Sequence, residues 1–310
     1  MAAKKLVITV PASSANLGPG FDSIGIAVNR YLTIEAESAA DWSFASDSPE
    51  LENVPSGKDN LIYVVAEELA RELGKELPPC RVKMYSDIPL ARGLGSSAAA
   101  IIAAIELADQ LTGAAMSKEE KMRFASLWEG HPDNVGPCLY GGLIVGSHSD
   151  EDTNIVHCGV PDIELVLAIP ASELMTKKAR GILPEQLGYH QAIKGSSISN
   201  VLVAALLREN WELVGKMMVR DVFHHPYREK LVPGLEYIMK NVRNYGAYGA
   251  ALSGAGPTVL CLAPKNKGVD VRDALQRDFQ HFHVQTAQVA AFGSRARYVS
   301  VPQNITAASS

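Results

Sequence analysis

The sequence predicts a globular protein that mixes helices and strands in more than one domain. Its 310 residues correspond to about two domains of average size. Apolar residues make up 47% of the chain and charged residues 20%, which is ordinary for a protein that buries a sizeable core. Strand-like and helix-like patterns are interspersed along the chain, and a polar stretch at residues 147–153 marks the end of the first half.

Segments rich in β-branched residues predict the strands. These segments are residues 6–10, 24–28, 31–36, 81–85, 163–169, 258–262, 282–292 and 296–301, with a hairpin-like strand at 138–146. The first strand is expected to end at Pro11, because residues 11–22 are rich in Gly, Pro and Ser and predict a loop. Residues 41–58 are acidic and irregular, which predicts a surface excursion.

Helices are predicted where apolar residues recur at a spacing of three or four. One helix opens at residues 59–62, with Asp59 as its expected N-cap and Gly74 as its end. A second helix starts after Ser117, which precedes acidic first-turn residues, and it ends near Trp128. Later helical patterns cover residues 186–209, 211–221, 228–243 and 269–280.

The stretch at residues 89–100, P-L-A-R-G-L-G-S-S-A-A-A, has the strongest functional signal. Gly93 and Gly95 let the backbone approach a ligand, and the alanine-rich helix that follows leaves its first N–H groups without partners. The helix dipole adds a partial positive charge there, so the stretch predicts an anion site. Ser97 Oγ could reach a metal ion held between phosphates, and Arg92 could supply a mobile positive charge. The alternative is a simple helix N-cap.

Two nucleotide-binding patterns do not fit this stretch. The Walker A pattern needs a Lys directly after its second Gly, and none follows Gly95. The dinucleotide pattern G-x-G-x-x-G needs a Gly where Ala98 stands, although Ala is sometimes tolerated there. An NAD-binding oxidoreductase is therefore a weak alternative, since a ribose-binding acid is also missing.

Further polar residues cluster in two segments. Asn16 and Asp22 lie in the predicted loop at 11–22, although both residue types are also common in plain turns. Residues 130–137 are expected to form a second loop, and the density of polar side chains around it favours a site over a spacer: Glu129, His131, Asp133 and Asn134. Arg228, between two helical patterns, is a further potential anion ligand. A second glycine-rich element at 251–262 predicts a turn and a strand.

The composition argues against several classes of partner and location. A net charge of −5 with only short Lys/Arg runs argues against a nucleic-acid-binding surface. The cysteines are widely spread without a C-x-x-C pair, which suits reduced thiols in a cytoplasm: Cys80, Cys138, Cys158 and Cys261. The N-terminal apolar segment is too short for a signal peptide, and no apolar stretch approaches ~18 residues, so we expect no membrane span.

Three segments together resemble the GHMP small-molecule kinase family, named for galactokinase, homoserine kinase, mevalonate kinase and phosphomevalonate kinase. Residues 89–100 are similar to the family's phosphate loop, and S-G-A-G-P-T at 253–258 is similar to its third motif. P-A-S-S-A-N-L-G-P-G-F-D at 11–22 and E-G-H-P-D-N-V at 129–135 resemble the homoserine kinase branch. The Gly-Glu-His element of the mevalonate- and galactokinase-like members is absent. The resemblance extends over residues 5–262.

The resemblance implies an α+β fold with a nucleotide-binding domain at residues 1–155 and a ferredoxin-like domain at 156–310. It implies transfer of the γ-phosphate of ATP to the hydroxyl of L-homoserine for threonine synthesis, with Mg²⁺ as the metal. A homodimer is also implied by the family. Two rivals are another GHMP kinase that acts on an isoprenoid or shikimate-like alcohol, and a non-catalytic sensor with the same fold. The pair Ser97 and Glu129 argues against the sensor, which has no need of a metal site.

The resemblance also implies roles for individual residues. Nucleotide binding falls to Asn60 near the adenine and to the phosphate loop: Pro89, Leu90, Ala91, Arg92, Gly93, Leu94, Gly95, Ser96, Ser97, Ala98 and Ala99. Ser97 and Glu129 would hold Mg²⁺ through oxygen ligands. The amino-acid substrate falls to Asn16, Asp22, His131, Thr176, Arg180 and Arg228, with Asp22 facing its ammonium group and the arginines its carboxylate. The implied catalytic set is Asn134, which would orient the hydroxyl, Arg180, and Asp133 as the alternative base.

Overall fold

The structure, a computed structural model, describes residues 4–300, which contain eleven β-strands and ten α-helices. The strands are β1 (Lys4–Ala15), β2 (Ile24–Ser38), β3 (Ser43–Ser46), β4 (Cys80–Ser86), β5 (Leu143–His148), β6 (Thr153–His157), β7 (Glu164–Pro170), β8 (Gly249–Leu252), β9 (Val259–Ala263), β10 (Phe282–Gln288) and β11 (Arg295–Ser300).

The helices are α1 (Leu61–Glu72), α2 (Ser96–Thr112), α3 (Lys118–Glu129), α4 (Pro132–Tyr140), α5 (Thr176–Arg180), α6 (Tyr189–Leu207), α7 (Trp211–Met218), α8 (His225–Arg228), α9 (Leu235–Asn241) and α10 (Gly268–Asp278). Short 3₁₀ turns lie at Pro49–Leu51, Glu229–Leu231 and Val242–Tyr245. Within residues 4–300, no helix combines the length and the apolar composition needed to cross a membrane.

The strands form two sheets. The first has seven strands in the order β11-β1-β2-β4-β3, with β5 pairing with β2 and with β6. The second has the order β10-β7-β9-β8, and its chain sequence β7, helices, β8, β9, α10, β10 is the ferredoxin-like β-α-β-β-α-β arrangement. The predicted α+β fold is therefore confirmed. The boundary after residue 155 stays a prediction, and β11 from the end of the chain lies in the first sheet beside β1.

The core of the first half is built around α2. Its residues Ala98, Ala99 and Ile101–Asp109 are buried, because α1, β1 and α4 pack against it from several sides. A helix enclosed on most of its circumference cannot carry large or charged side chains everywhere, which explains its run of alanines. The alanine-rich helix predicted to end near Leu111 is confirmed; it begins at Ser96, and Gly113 in the left-handed region ends it.

Strand β1 is longer than expected, and the prediction of a loop from Pro11 is wrong. The strand continues to Ala15, with a register shift against β2 between Pro11 and Ala12. Pairing with β11 extends only from Lys4 to Thr9, so one edge of β1 is free of a partner at Pro11. Proline is tolerated in a strand at such a position because its missing N–H leaves no hydrogen bond unmade. The two strands predicted at 24–28 and 31–36 are likewise one strand, β2.

Two local expectations about helices are also wrong. The N-cap of α1 is Asn60 and not Asp59, because the Asn60 side chain accepts a hydrogen bond from the Ile62 N–H at 2.9 Å. Residues 130–137 are not a loop, since α4 begins at Pro132. Proline suits the first helical position, where its missing N–H would have had no partner. In the later chain, the helix predicted at 228–243 is divided into α8, 3₁₀ turns and α9.

Candidate active site

Two cavities meet at the start of α2. The first, of about 320 Å³, is polar and lies between the two halves of the chain. The second, of about 220 Å³, is lined mainly by apolar side chains that include Leu32, Val54 and Met84. Ser96 and Ser97 line both cavities, so a ligand at the N-terminus of α2 can extend into each of them.

The glycine-rich loop before α2 has a backbone that only glycine accommodates. Gly93 and Gly95 have φ angles of 76° and 67°. A Cβ on Gly95 would lie 2.0 Å from Ser13 Oγ, and one on Gly93 would lie 2.3 Å from the Ser253 carbonyl oxygen. Gly95 is the N-cap and has no side chain to cap α2, so the N–H groups of the first turn remain available to a ligand.

The residues predicted to bind nucleotide divide into three groups. Those that line the polar cavity are Ala91, Gly93, Gly95, Ser96, Ser97 and Ala98. Those that line the apolar cavity are Asn60, Leu90, Ser96 and Ser97. The others line neither cavity: Pro89, Arg92, Leu94 and Ala99. Leu94 and Ala99 are buried in the core, where they support the loop from behind.

Arg92 is not the mobile positive charge that its position in a glycine-rich loop predicted. Its guanidinium donates a hydrogen bond to the Ala171 carbonyl at 2.8 Å and forms an ion pair with Glu173 at 3.3 Å. Both partners belong to the second half of the chain. Arg92 therefore connects the two halves beside the site.

Asn60 lies in the wall of the apolar cavity with its amide already engaged. Its Oδ1 accepts from the Ile62 N–H, and its Nδ2 donates to the Pro55 carbonyl at 2.8 Å. These bonds hold the chain on both sides of Asn60 against the cavity. The residue shapes this wall, and its predicted proximity to an adenine stays a prediction.

Asn16 and Asp22 are held in the polar cavity by one hydrogen-bond network. Both have positive φ angles, 74° and 55°. The Asn16 side chain donates to the Gly254 carbonyl and accepts from the Asp22 N–H, each at 3.0 Å. The amide of Asn16 thus ties the β1–β2 connection to the second glycine-rich element and orients Asp22.

Asp22 forms a two-pronged ion pair with Arg180 of α5. The two guanidinium nitrogens donate to the two carboxylate oxygens at 2.8 and 3.0 Å. The hydrogen bond from Arg180 to Asp22 raises the pKa of the guanidinium, which therefore stays protonated. Thr176, the first residue of α5, lines the same cavity.

Arg228 lies in the cavity wall and has no anionic partner among residues 4–300. It is 2% exposed, and its donors go to the Ala179 and Gly254 carbonyls and to His224 Nδ1. None of these acceptors is charged, and burial lowers the pKa of Arg228 to about 10. A buried cation of this kind is suited to an anionic ligand group.

His131, Asp133 and Asn134 form a second polar wall at the start of α4. His131 Nδ1 lies 2.5 Å from Asp133 Oδ1. Burial disfavours the charged imidazole, but the adjacent Asp133 carboxylate outweighs burial and raises the pKa of His131 to about 9. Asn134 donates to Asp133 at 3.2 Å and accepts from Ser13 Oγ at 3.0 Å. The Asp133 carboxylate is therefore already engaged by two donors.

Glu129 and Ser97 line the polar cavity together. The cations near Glu129, His131 and Arg180, form their ion pairs with other carboxylates. Burial therefore raises the pKa of Glu129, and the neighbouring Asp133 adds to this effect. A half-buried carboxylate and a hydroxyl group that line one cavity are both oxygen donors of the kind that a hard cation prefers.

Comparison with known proteins identifies the family. The model of the GHMP kinase N-terminal domain matches residues 60–142, and that of the C-terminal domain matches residues 202–281. The homoserine kinase of Halalkalibacterium halodurans is 62% identical over 89% of this chain and 90% of its own length. The homoserine kinase of Shouchella clausii is 54% identical over 93% of this chain and 96% of its own length.

A solved structure agrees with these relatives. The homoserine kinase of Cytophaga hutchinsonii superimposes with a TM-score of 0.83 at 28% identity, covering 94% of this chain and 97% of that one. This chain belongs to the GHMP kinase family. Within the family, the relatives named here are all homoserine kinases.

Sequence reasoning missed two features of this GHMP kinase's site. Phe21 lines the polar cavity, and its ring centroid lies 5.5 Å from the Arg180 guanidinium carbon and 5.4 Å from that of Arg228. Asp221 accepts hydrogen bonds from three successive backbone N–H groups and so fixes the turn that presents Arg228. An aromatic residue in a glycine-rich polar loop was the available signal for Phe21. The available signal for Asp221 was the His-His-Pro segment at residues 224–226, which follows it closely.

Proposed function

We propose that this GHMP kinase transfers the γ-phosphate of ATP to the side-chain hydroxyl of L-homoserine, giving O-phospho-L-homoserine for threonine biosynthesis. One observation carries the proposal. The anionic Asp22 and the cationic Arg180 and Arg228 line the same cavity as the glycine-rich loop before α2. A zwitterionic amino acid and a phosphate chain would thus be held side by side. An isoprenoid alcohol has no ammonium group for Asp22, which argues against that rival.

The two cavities suit the two ends of ATP. The apolar cavity is suited to a purine base, and the free N–H groups at the start of α2 are suited to phosphate oxygens. Phosphoryl transfer depends mainly on positioning and on neutralising charge, and the loop supplies both through its backbone. The supporting contacts from Ser13 and Ser253 keep that backbone in place.

The donor set of the polar cavity fits Mg²⁺. Ser97 and Glu129 would hold the ion, because they offer hard oxygen ligands and because Glu129 forms no ion pair within the described part of the chain. When bound, Mg²⁺ would neutralise charge on the phosphate oxygens.

The residues of α4 would orient the acceptor hydroxyl without a dedicated base. Asn134 is held on both sides by hydrogen bonds, which makes it a fixed positioning group. Asp133 is the alternative base, but its Oδ1 already accepts hydrogen bonds from His131 and Asn134. The hydroxyl proton would then leave to the transferred phosphate.

The Asp133→Asn variant tests this mechanism. We expect kcat to fall by less than ~10³-fold with the KM for homoserine little changed, because general-base catalysis typically contributes ~10²–10⁴-fold. Steady-state kinetics with saturating Mg-ATP measure both constants. A loss of ~10³-fold or more in kcat with intact substrate binding would make Asp133 the base.

Incubation with Mg-ATP and a panel of alcohols tests the function itself. ADP release should be fast with L-homoserine and slow with L-serine, mevalonate and shikimate. Release with mevalonate or shikimate at the rate of homoserine would contradict the proposal, and so would a lack of release with all four.

Three further expectations stay proposals. The first is a division into domains after residue 155, and the second is a homodimer, which light scattering of the purified protein would test. The third is a cytoplasmic location, which rests on the widely spread cysteines; all four are free thiols in the structure.

A further inference from the structure

We propose that the Asp22–Arg180 ion pair selects for zwitterionic ligands. A ligand separates the pair without loss only if it offers an ammonium group to Asp22 and a carboxylate to Arg180. The pair occupies the places assigned above to the ammonium and carboxylate groups of the substrate. The two residues therefore satisfy each other's charge. The inference rests on the proposed function, since it concerns how the same cavity admits its amino acid.

Within the pair, each side chain takes the position that a charged group of the substrate would take on the other. Each terminal guanidinium nitrogen donates to a different carboxylate oxygen, so the two side chains form two parallel hydrogen bonds. The two residues are 158 positions apart and come from the two halves of the chain, so the pair spans the cavity. It is also partly accessible, with 43% of the Arg180 side chain and 34% of the Asp22 side chain exposed, so a ligand can reach it.

Each partner remains positioned when the pair opens. The Asp22 backbone is held by Asn16, whose Oδ1 accepts the Asp22 N–H. The Arg180 guanidinium lies over the Phe21 ring, a cation–π contact that does not depend on the carboxylate. The exchange therefore requires side-chain displacement and no refolding of the cavity wall.

The charges decide which ligands gain from the exchange. A zwitterion replaces the internal pair with two new ion pairs, one to Asp22 and one to Arg180. A ligand with a carboxylate alone pairs with Arg180 but leaves Asp22 charged and without its partner. A ligand with an ammonium group alone leaves Arg180 in the same state. An unpaired charge in a partly buried cavity is unfavourable. A singly charged alcohol therefore loses affinity for two reasons: it makes one ion pair fewer, and it leaves one residue of the pair without a partner.

Two analogues of homoserine test this. 4-Hydroxybutanoate lacks the ammonium group, and 3-aminopropan-1-ol lacks the carboxylate. In the Asp22→Asn variant Arg180 is no longer occupied, so kcat/KM for 4-hydroxybutanoate should rise about two- to fivefold, the range expected for a partly exposed ion pair. For homoserine it should fall by about tenfold or more, because a charged partner of the ammonium group is lost. If each group were recognised independently, 4-hydroxybutanoate would be unaffected by the variant.

A double-mutant cycle separates exchange from a general change in cavity charge. The gain for 4-hydroxybutanoate in Asp22→Asn should vanish in the Arg180→Gln background, since no guanidinium is left to be freed. A gain that persists in that background would overturn the proposal. So would a lack of gain in the single variant, provided that the wild type phosphorylates homoserine. A wild type inactive on homoserine would instead overturn the proposed function.

Two controls keep the test decisive. Asn tolerates positive φ angles well, so Asp22→Asn should keep the backbone conformation. Should that variant still fail to fold, Arg180→Gln with 3-aminopropan-1-ol gives the reciprocal test, with the same expected gain. Asp162→Asn breaks an exposed ion pair with Lys265 at 2.8 Å, away from the cavity. This variant should leave kcat/KM unchanged for homoserine and for both analogues.

Discussion

The two glycine-rich elements of this GHMP kinase resemble each other in composition but differ in use. Each has two glycines in the left-handed region, Gly93 and Gly95 in the first and Gly254 and Gly256 in the second. The first leads into α2 and presents free N–H groups to a cavity. The second, at residues 253–258, joins β8 to β9 and directs its polar groups at its neighbours.

The contacts of the second element make it a support. Ser253 Oγ donates to the Gly93 carbonyl at 2.6 Å, and the Gly254 carbonyl accepts from both Asn16 and Arg228. The second element therefore holds the first loop on one side and the amino-acid wall on the other. The comparison teaches that a glycine-rich motif is defined as a ligand site by the free backbone donors it presents. Its glycine content alone does not decide the role.

The largest expected effect comes from Gly95→Ala. A Cβ there lies 2.0 Å from Ser13 Oγ on a backbone with φ of 67°, so the loop must move. A displacement of about 1 Å at a reacting phosphate can cost ~10²-fold, and we expect kcat/KM for ATP to fall by at least that factor. Gly74→Ala is the matched control, with φ of 64° and open space around the Cβ. It should lower stability and leave kinetics unchanged. Equal kinetic losses in both variants would contradict the distinction.

Ser97→Ala is expected to have the next largest effect. The variant keeps α2 but removes a proposed oxygen ligand, so the Mg²⁺ concentration needed for half-maximal rate should rise about tenfold. Titration of Mg²⁺ at fixed ATP measures this. Ser96→Ala removes a hydroxyl from the same wall and should leave the Mg²⁺ requirement unchanged. A shift in Ser96→Ala alone would move the proposed ligand by one residue.

Ser253→Ala tests the supporting role of the second element. It leaves the Gly93 carbonyl without its buried donor, a loss of about 1–3 kcal/mol. We expect a lower melting temperature and a KM for ATP that rises severalfold. The variant removes a hydrogen bond that supports the loop but leaves the groups that contact the ligand in place. Thr258→Val is the matched control, because Thr258 Oγ1 is buried and makes no hydrogen bond within the described residues. If both variants behaved alike, the Ser253 contact would not support the loop.

The smallest effect is expected for Gly254→Ala. Its φ is 55°, but a Cβ would meet nothing closer than 3.6 Å. We therefore expect a loss of only about 1–2 kcal/mol in the free energy of unfolding, from backbone strain, and a change in kcat/KM of less than about twofold. Chemical denaturation and steady-state kinetics measure these. A kinetic loss like that of Gly95→Ala would remove the difference between the two elements.

The sequence predicted features that depend on neighbouring residues. The N-cap at Ser117 and the alanine-rich helix after the glycine-rich loop are present as expected, because caps and helix formers act within a few residues. Errors arose where two local signals competed. Asp59 and Asn60 are both good N-caps, and Pro132 marks a helix start as readily as a loop. Proline usually ends a strand, and only the pairing of the sheet shows that one edge of β1 is free at Pro11, so the sequence alone predicts the wrong end for this strand.

By itself, the sequence determined which segments favour helix or strand and which residue types could bind phosphate and an amino acid, because these are matters of local conformation and chemistry. Only the tertiary structure decided which of those residues meet. Asp22 and Arg180, 158 positions apart, form one ion pair, and Ser253 lies against Gly93 across 160 positions. Such contacts follow from the packing of two sheets and their helices, and no pattern of neighbouring residues encodes them.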